Sequence, residues 1–201
     1  MGLLWWRFLP TKDKKVINGK NSYLIQKILE KYDDNPDIYL DFGAITCTKD
    51  NIPKDICTKI HQEYLDRIER WKHIDNLIVF ASSTGVNDIN LDHNGSTCYN
   101  LAKLMAENWL INSNKKYLIL RIGTIYSTHP GDYDIMKQDR LPARIKRGDF
   151  KDMDLTAKDY YLDVDVFVDT TISEIEGYTK NKIVYYNLDY LNILALKRLI
   201  K

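Results

Sequence analysis

Residues 77–110 read LIVFASSTGVNDINLDHNGSTCYNLAKLMAENWL. The stretch opens with a continuous apolar run, as a strand buried on both faces requires. It closes with the helical spacing of Leu101, Leu104 and Met105. Between them stand Ser82 and Ser83, and the helix begins with a Tyr-x-x-x-Lys, Tyr99 and Lys103. A strand, a polar loop, an amphipathic helix and then a further apolar run, KKYLILRIGTIY, make a βαβ unit.

Working outward, the same alternation recurs. NSYLIQKILEKY and PKDICTKIHQEYLDRIERW carry helical patterns, the second with Pro53 in its first turn. PDIYLDFGA and KIVYYNL read as strands, LLWWRFL as a further strand, and LNILALKRLIK as a terminal helix. Alternating strands and helices predict an α/β fold with a parallel sheet. After Tyr126 the pattern loosens through STHPGDYD, which is turn chemistry. The composition shift near Pro130 suggests a core over residues 1–129 and a C-terminal lobe over 130–201, within what can still be one domain.

Composition bounds the partners. The 201 residues are 44% hydrophobic and 28% charged, enough for a packed core. With 29 basic and 28 acidic residues the net charge is +1, which argues against nucleic acid or an anionic membrane as partner. No apolar run approaches the roughly 20 residues that span a bilayer. The start MGLLWWRF lacks the basic region of a signal peptide, and Trp6 stands where a myristoylation signal needs Ser or Thr. Cys47, Cys57 and Cys98 are odd in number and loosely spaced, which predicts no disulfide framework and a reducing, cytoplasmic setting.

Tyr-x-x-x-Lys also occurs at Tyr23/Lys27, Tyr133/Lys137 and Tyr178/Lys182, so the motif alone carries little. Only Tyr99 and Lys103 follow a serine-bearing apolar strand. Their spacing puts both on one helix face. An ammonium beside a phenol stabilises the phenolate and lowers a pKa that is otherwise about 10. Such a phenol can exchange a proton with a hydroxyl or carbonyl while a cofactor takes or gives a hydride. The plainer alternative has Tyr99 packed on a neighbouring helix, Lys103 solvated and Ser83 merely ending a strand.

Several motifs in order resemble one family, the extended short-chain dehydrogenases/reductases of the nucleotide-sugar epimerase, dehydratase and reductase kind. NLIVFASSTGV resembles the strand ending in that family's catalytic Ser or Thr, matched by Ser83. CYNLAKLMAE resembles its Tyr-x-x-x-Lys helix, including Glu107. YLILRIGTIYS resembles the strand that leads to residues near the nicotinamide, here Ile122, Gly123 and Thr124. PDIYLDFGAI resembles the strand ending in small residues beside the cofactor, here Gly43 and Ala44. DYYLDVDVFVDTTISEIE resembles a later segment in which a tyrosine precedes a helix start.

The resemblance implies a Rossmann-like three-layer sandwich with a parallel sheet, a small C-terminal substrate lobe, and NAD or NADP as cofactor. It implies Tyr99 as acid/base, Lys103 as its tuning partner, Ser83 as orienting group, and Ser82 among the cofactor contacts. The substrate would be a nucleotide sugar. There are also departures. The family's Gly-x-x-Gly-x-x-Gly turn, which brings backbone N–H groups to the pyrophosphate, has no counterpart among nine scattered glycines; before Pro36 only Gly19 and Gly2 occur. The residues before Pro36 resemble a third strand and helix, so the fold is expected to be N-terminally shortened and to hold a dinucleotide weakly or not at all. Ser127 stands where the family often has Gly. The alternative function is a non-catalytic descendant that serves as a binding or scaffold protein.

Other signals are slighter. Asp41–Phe42–Gly43 matches a kinase tripeptide but lacks a catalytic-loop partner. His61, His73, His93 and His129 show no zinc spacing, and no metal is expected. A Gly-x-Ser-x-Gly elbow for a hydrolase is absent. Trp5 and Trp6 are expected to cover a sheet edge or to seat a homodimer.

Overall fold

In the computed structural model, the described residues are 16–18, 23–31, 38–43, 54–87, 96–129, 131–135, 141–151, 153–156 and 158–200. Trp5 and Trp6, the LLWWRFL strand and Ala44 lie outside them.

Five parallel strands form the main sheet: β1 (Val16–Asn18), β2 (Ile38–Asp41), β3 (Leu77–Ser83), β4 (Tyr117–Ile122) and β7 (Lys182–Tyr185), in that spatial order. The helices α1 (Tyr23–Lys31), α2 (Lys54–Trp71) and α3 (Ser96–Ile111) connect the first four. In register, Leu40 faces Val79, and Val79 faces Leu118.

Side-chain alternation sorts the sheet into two cores. Tyr39, Ile78, Phe80, Tyr117 and Ile119 pack under α2 and α3 against Ile60, Tyr64, Trp71, Ala102, Ala106 and Leu110. Ile38, Leu40, Leu77, Val79, Leu118 and Leu120 point the other way, to Ile25 and Ile28 of α1 and to Phe167 and Val168 of α6 (Val164–Glu176). A sheet covered on both faces needs strands that are apolar at every position, which is why the runs show no alternation in sequence. The expected α/β three-layer sandwich with a parallel sheet is present.

The chain leaves this sheet through one residue. After Gly123 it enters β5 (Thr124–Tyr126), which joins β6 (Lys158–Asp163) and β8 (Asp189–Asn192) in a separate three-stranded sheet. Short helices α4 (Asp132–Ile135), α5 (Leu141–Lys146) and α7 (Ile193–Leu199) accompany it. β6 passes directly into α6, where the Asp163 carboxylate accepts from the Asp165 N–H at 2.8 Å. Residues beyond 130 therefore supply two of the three strands of the small sheet and also give α6 and β7 to the core.

Ser127 is fully buried and has a task there. Its hydroxyl donates to Asp132 at 2.6 Å, and Tyr23 of α1 donates to the same carboxylate at 2.7 Å. Lys27 lies 2.7 Å from its other oxygen. Burial raises the Asp132 pKa, but the bonds from Lys27, Ser127 and Tyr23 outweigh it and leave the group below the ordinary carboxylate value. This buried carboxylate ties α1 to the small lobe.

One expectation is corrected. Cys57 of α2 and Cys98 of α3, 41 positions apart in sequence, form a disulfide with Cα atoms 5.7 Å apart. No spacing rule flags such a pair, because the packing of α2 on α3 makes it. The cysteines thus give no argument for a reducing compartment. Among the described residues no helix is long and apolar enough to cross a membrane.

Candidate active site

The C-terminal ends of β2, β3 and β4 and the start of α3 meet at one sheet edge. The alternation that packs the core continues to its last residues. Asp41, Ser82 and Arg121 follow Tyr39, Phe80 and Ile119 by two, so all three point under α2 and α3. On α3, Tyr99, Lys103 and Glu107 recur every four residues and share one face.

Ser82 and Arg121 meet Glu107. The carboxylate is fully buried. It accepts from the Ser82 hydroxyl, from Arg121 Nε at 3.2 Å and from Arg121 Nη2 at 2.6 Å. Arg121 also donates to the Asn87 side chain and to the Tyr185 hydroxyl, the latter at 3.2 Å. The Ser82 side chain is thus engaged with α3.

Lys103 is 2% exposed, so it is not the solvated lysine of the plainer reading. Its ammonium donates to the Ala81 carbonyl and sits 5.0 Å from the centre of the Tyr99 ring. The rings of Phe80 and Tyr64 lie 5.2 and 5.8 Å away. Burial first, and the nearby Arg67 guanidinium second, push its pKa down from 10.5 to about 7. Between those values an unfolded chain holds a proton that the native chain has released, so stability rises with pH across that window. Below about 7 both states are protonated and the full penalty applies. Lys103→Met should remove this rise. Urea midpoints of the two proteins should therefore converge from pH 7 to pH 9 if the variant starts out more stable. They should diverge if it starts out less stable. The range stops short of 10 because Tyr23, Tyr39 and Tyr64 are pushed up by burial and withdraw stability there. Parallel curves would mean that Lys103 titrates normally.

Ser83 ends β3 with extended backbone and caps a 3-10 turn, Thr84–Val86, by accepting from the Gly85 N–H at 3.2 Å. That turn packs on the start of α3. A Cβ on Gly85 would stand 2.8 Å from the Asn100 side-chain amide, so any larger residue there would push that amide aside. The turn joins the strand carrying Ser83 to the helix turn carrying Tyr99. Ile122 is buried at the end of β4, while Gly123 and Thr124 form the step to β5. A Cβ on Gly123 would meet only ordinary contacts, the nearest 3.5 Å away at Leu188, so no steric need dictates that glycine.

Arg67, which the sequence did not single out, and Asp41, singled out only within a kinase tripeptide, are prominent. Asp41 and Arg67 are fully buried. Arg67 Nη1 lies 3.4 Å from Asp41, and Nη2 reaches Glu63 at 2.8 Å and the Gly43 carbonyl. Trp71 donates to Asp41 at 2.8 Å. The signal was available, since Arg67 falls on the Ile60–Tyr64–Ile68–Trp71 stripe, where a cation needs a buried partner.

A cleft of about 540 Å³ opens elsewhere, between α1 and α6. Its polar groups are already engaged: Lys31 pairs with Asp169 at 2.9 Å, Lys27 with Glu30 at 3.1 Å, and the His129 ring is hydrogen-bonded to Asp165 at 2.8 Å. We therefore place the site at the sheet edge.

Solved structures share this architecture. UDP-glucuronic acid 4-epimerase from Bacillus cereus, in complex with NAD, is 18% identical with a TM-score of 0.57, covering 87% of this chain and 60% of its own. UDP-N-acetylglucosamine 4-epimerase from Methanobrevibacter ruminantium, in complex with UDP-N-acetylmuramic acid, is 12% identical with a TM-score of 0.66, covering 94% and 81%. GDP-mannoheptose C4 reductase from Campylobacter jejuni, with NADP bound, is 12% identical with a TM-score of 0.61, covering 96% and 85%. The chain has the fold of these enzymes. They are extended short-chain dehydrogenases/reductases. The chain spans about 60% of the length of the Bacillus enzyme. No protein-family model and no curated protein sequence matches it.

This fold clarifies the shortening. The doubly wound order 3-2-1-4-5-6 sets strand 1 beside strand 4. Here β1 pairs with β2, β2 with β3, and β3 with β4, and no described strand lies outside β1. β1 and α1 thus take the place of the first strand and helix of the order rather than the third, and among the described residues the strands beyond strand 1 have no counterpart. The glycine-rich turn of this fold falls between its first strand and helix. In sequence, residues 19–22 between β1 and α1 read Gly-Lys-Asn-Ser, with one glycine, and lie outside the described residues.

Proposed function

We propose that the chain is an NAD(P)-dependent oxidoreductase or epimerase acting on a nucleotide sugar, with Tyr99 as acid/base. The observation that carries this reading is the Tyr99–Lys103 pair at the sheet edge, with a buried ammonium 5.0 Å from the phenol ring. Ligands of open α/β sheets bind at that edge.

The donor set there fits the nicotinamide and sugar end of a dinucleotide. Tyr99, Lys103 and Ser83 would face the reacting carbon, with Gly43, Ala44, Ser82, Ile122, Gly123 and Thr124 around the ring and ribose. The cofactor, when bound, supplies or takes the hydride. Tyr99 moves the matching proton to or from the substrate oxygen. Lys103, charged, favours the phenolate. Ser83 accepts from Gly85, which leaves its own O–H to donate to that oxygen.

A second reading keeps the fold without the chemistry. It is favoured by the bond from Lys103 to Ala81, which takes one of the ammonium's donors, and by the single glycine in the sequence between β1 and α1.

Calorimetric titration with NAD, NADP and a panel of UDP-, dTDP- and GDP-sugars separates them. A nucleotide sugar should bind, and the dinucleotide should bind only in the millimolar range. If neither class binds at millimolar concentration, the enzyme reading fails and the site serves another partner.

A further inference from the structure

The disulfide has a neighbour that changes its meaning. Cys57 and His61 are four apart on α2 and share a face, and Cys98 stands across from them in the first turn of α3. The two sulfurs and an imidazole nitrogen all lie within 4.8 Å of one another. All three residues are half-buried, shielded from bulk water yet within reach of a small solute.

A tetrahedral zinc with Zn–S near 2.3 Å and Zn–N near 2.0–2.1 Å sets its ligand atoms roughly 3.4–3.8 Å apart. The three donors meet that demand once the sulfurs part. The set is two thiolates and one imidazole with no carboxylate. Soft donors of this kind select zinc-like ions over magnesium or calcium.

We propose that Cys57, His61 and Cys98 form a redox-gated site for a Zn²⁺-class ion. Oxidised, the sulfurs bond to each other and cannot bind metal. A small dithiol reductant attacks one sulfur, the S–S bond breaks, and the electron pair leaves on the other sulfur. The reductant ends as a disulfide and the protein as two thiols. Metal binding then releases their protons and adds the neutral His61 ring as third ligand. A small disulfide oxidant reverses the exchange after the ion leaves. In both states α2 and α3 stay clamped next to Tyr99, by a bond in one and by an ion in the other. The proposal stands without the catalytic reading.

The test uses the full chain carrying Cys47→Ser, so that only two thiols remain. The protein is reduced with a phosphine, desalted without oxygen and titrated with Co²⁺, followed by visible absorption and circular dichroism. One Co²⁺ per reduced chain is expected, with the intense visible bands of a tetrahedral ion and thiolate charge transfer, displaced by Zn²⁺. The oxidised protein should show none. His61→Ala should weaken binding at least about tenfold, the loss already caused when only an outer partner of a ligand is removed. Alkylating both thiols of the reduced parent should abolish binding, which covers the case in which a cysteine variant fails to fold. If reduction unfolds the chain, added metal should restore its circular dichroism. No bound ion in the reduced protein, no recovery on adding metal, an equal spectrum from the oxidised protein, or an unchanged affinity in His61→Ala would each overturn the site.

Discussion

Arg67→Met is expected to cost roughly 3–5 kcal/mol of folding stability, the usual result of stranding one member of a buried ion pair. Asp41 would keep its place under α2, fully buried and bonded to the Trp71 N–H, but without the guanidinium that balances its charge. The guanidinium also stacks 4.5 Å over the Tyr64 ring and donates to the Gly43 carbonyl, so methionine restores bulk but none of the donors. Urea unfolding followed by tryptophan fluorescence reads the loss directly. The pair is dispensable only as a pair. Arg67→Met combined with Asp41→Leu should recover most of the lost stability, because two apolar groups of similar size fill a core about as well as the ions did. A single variant within about 1 kcal/mol of the parent would mean that Asp41 is not ionised and buried beside Arg67.

On the proposed function, Tyr99→Phe should lower turnover of a nucleotide sugar by roughly 10²–10⁴-fold, the range of lost general acid/base help. The ring and its contact with the Lys103 ammonium remain, so the variant should still fold. Lys103→Met should reduce turnover comparably and also weaken binding of the dinucleotide. A variant with phenylalanine that converts substrate at the parent rate would remove Tyr99 from the reaction even with the fold intact.

The parts of this molecule visible in its sequence are those set by local physics. β2, β3 and β4 announce themselves because a strand covered on both faces has to be apolar throughout, and α1 and α2 because one face of each is buried. The small sheet was obscured because β6 begins with three exposed residues and β5 and β8 show only three or four residues each. The buried Lys103 was hidden by its type, since lysine is ordinarily solvated. Asp41–Arg67 and Cys57–Cys98 depend on which helix lands on which strand or helix, and no spacing along the chain encodes that. At the sheet edge, the sequence put Ser83 at the end of a strand and Tyr99 and Lys103 on the following helix, as β3 and α3 have them, but gave no sign that Ser82 would bond to Glu107.

That last contact governs how the protein can change over time. Glu107 grips β3 through Ser82 and β4 through Arg121, so a single side chain keys α3 to two strands at once. A slide of one residue, about 1.5 Å, or a roll of about 100° would forfeit both grips together. The helix is therefore seated like a key in a slot, and Tyr99, two turns along, inherits that seating. Insertions and substitutions in the loops around the small lobe can accumulate without moving it. New ligand preferences should arise there, while the Ser82–Glu107–Arg121 lock stays unchanged.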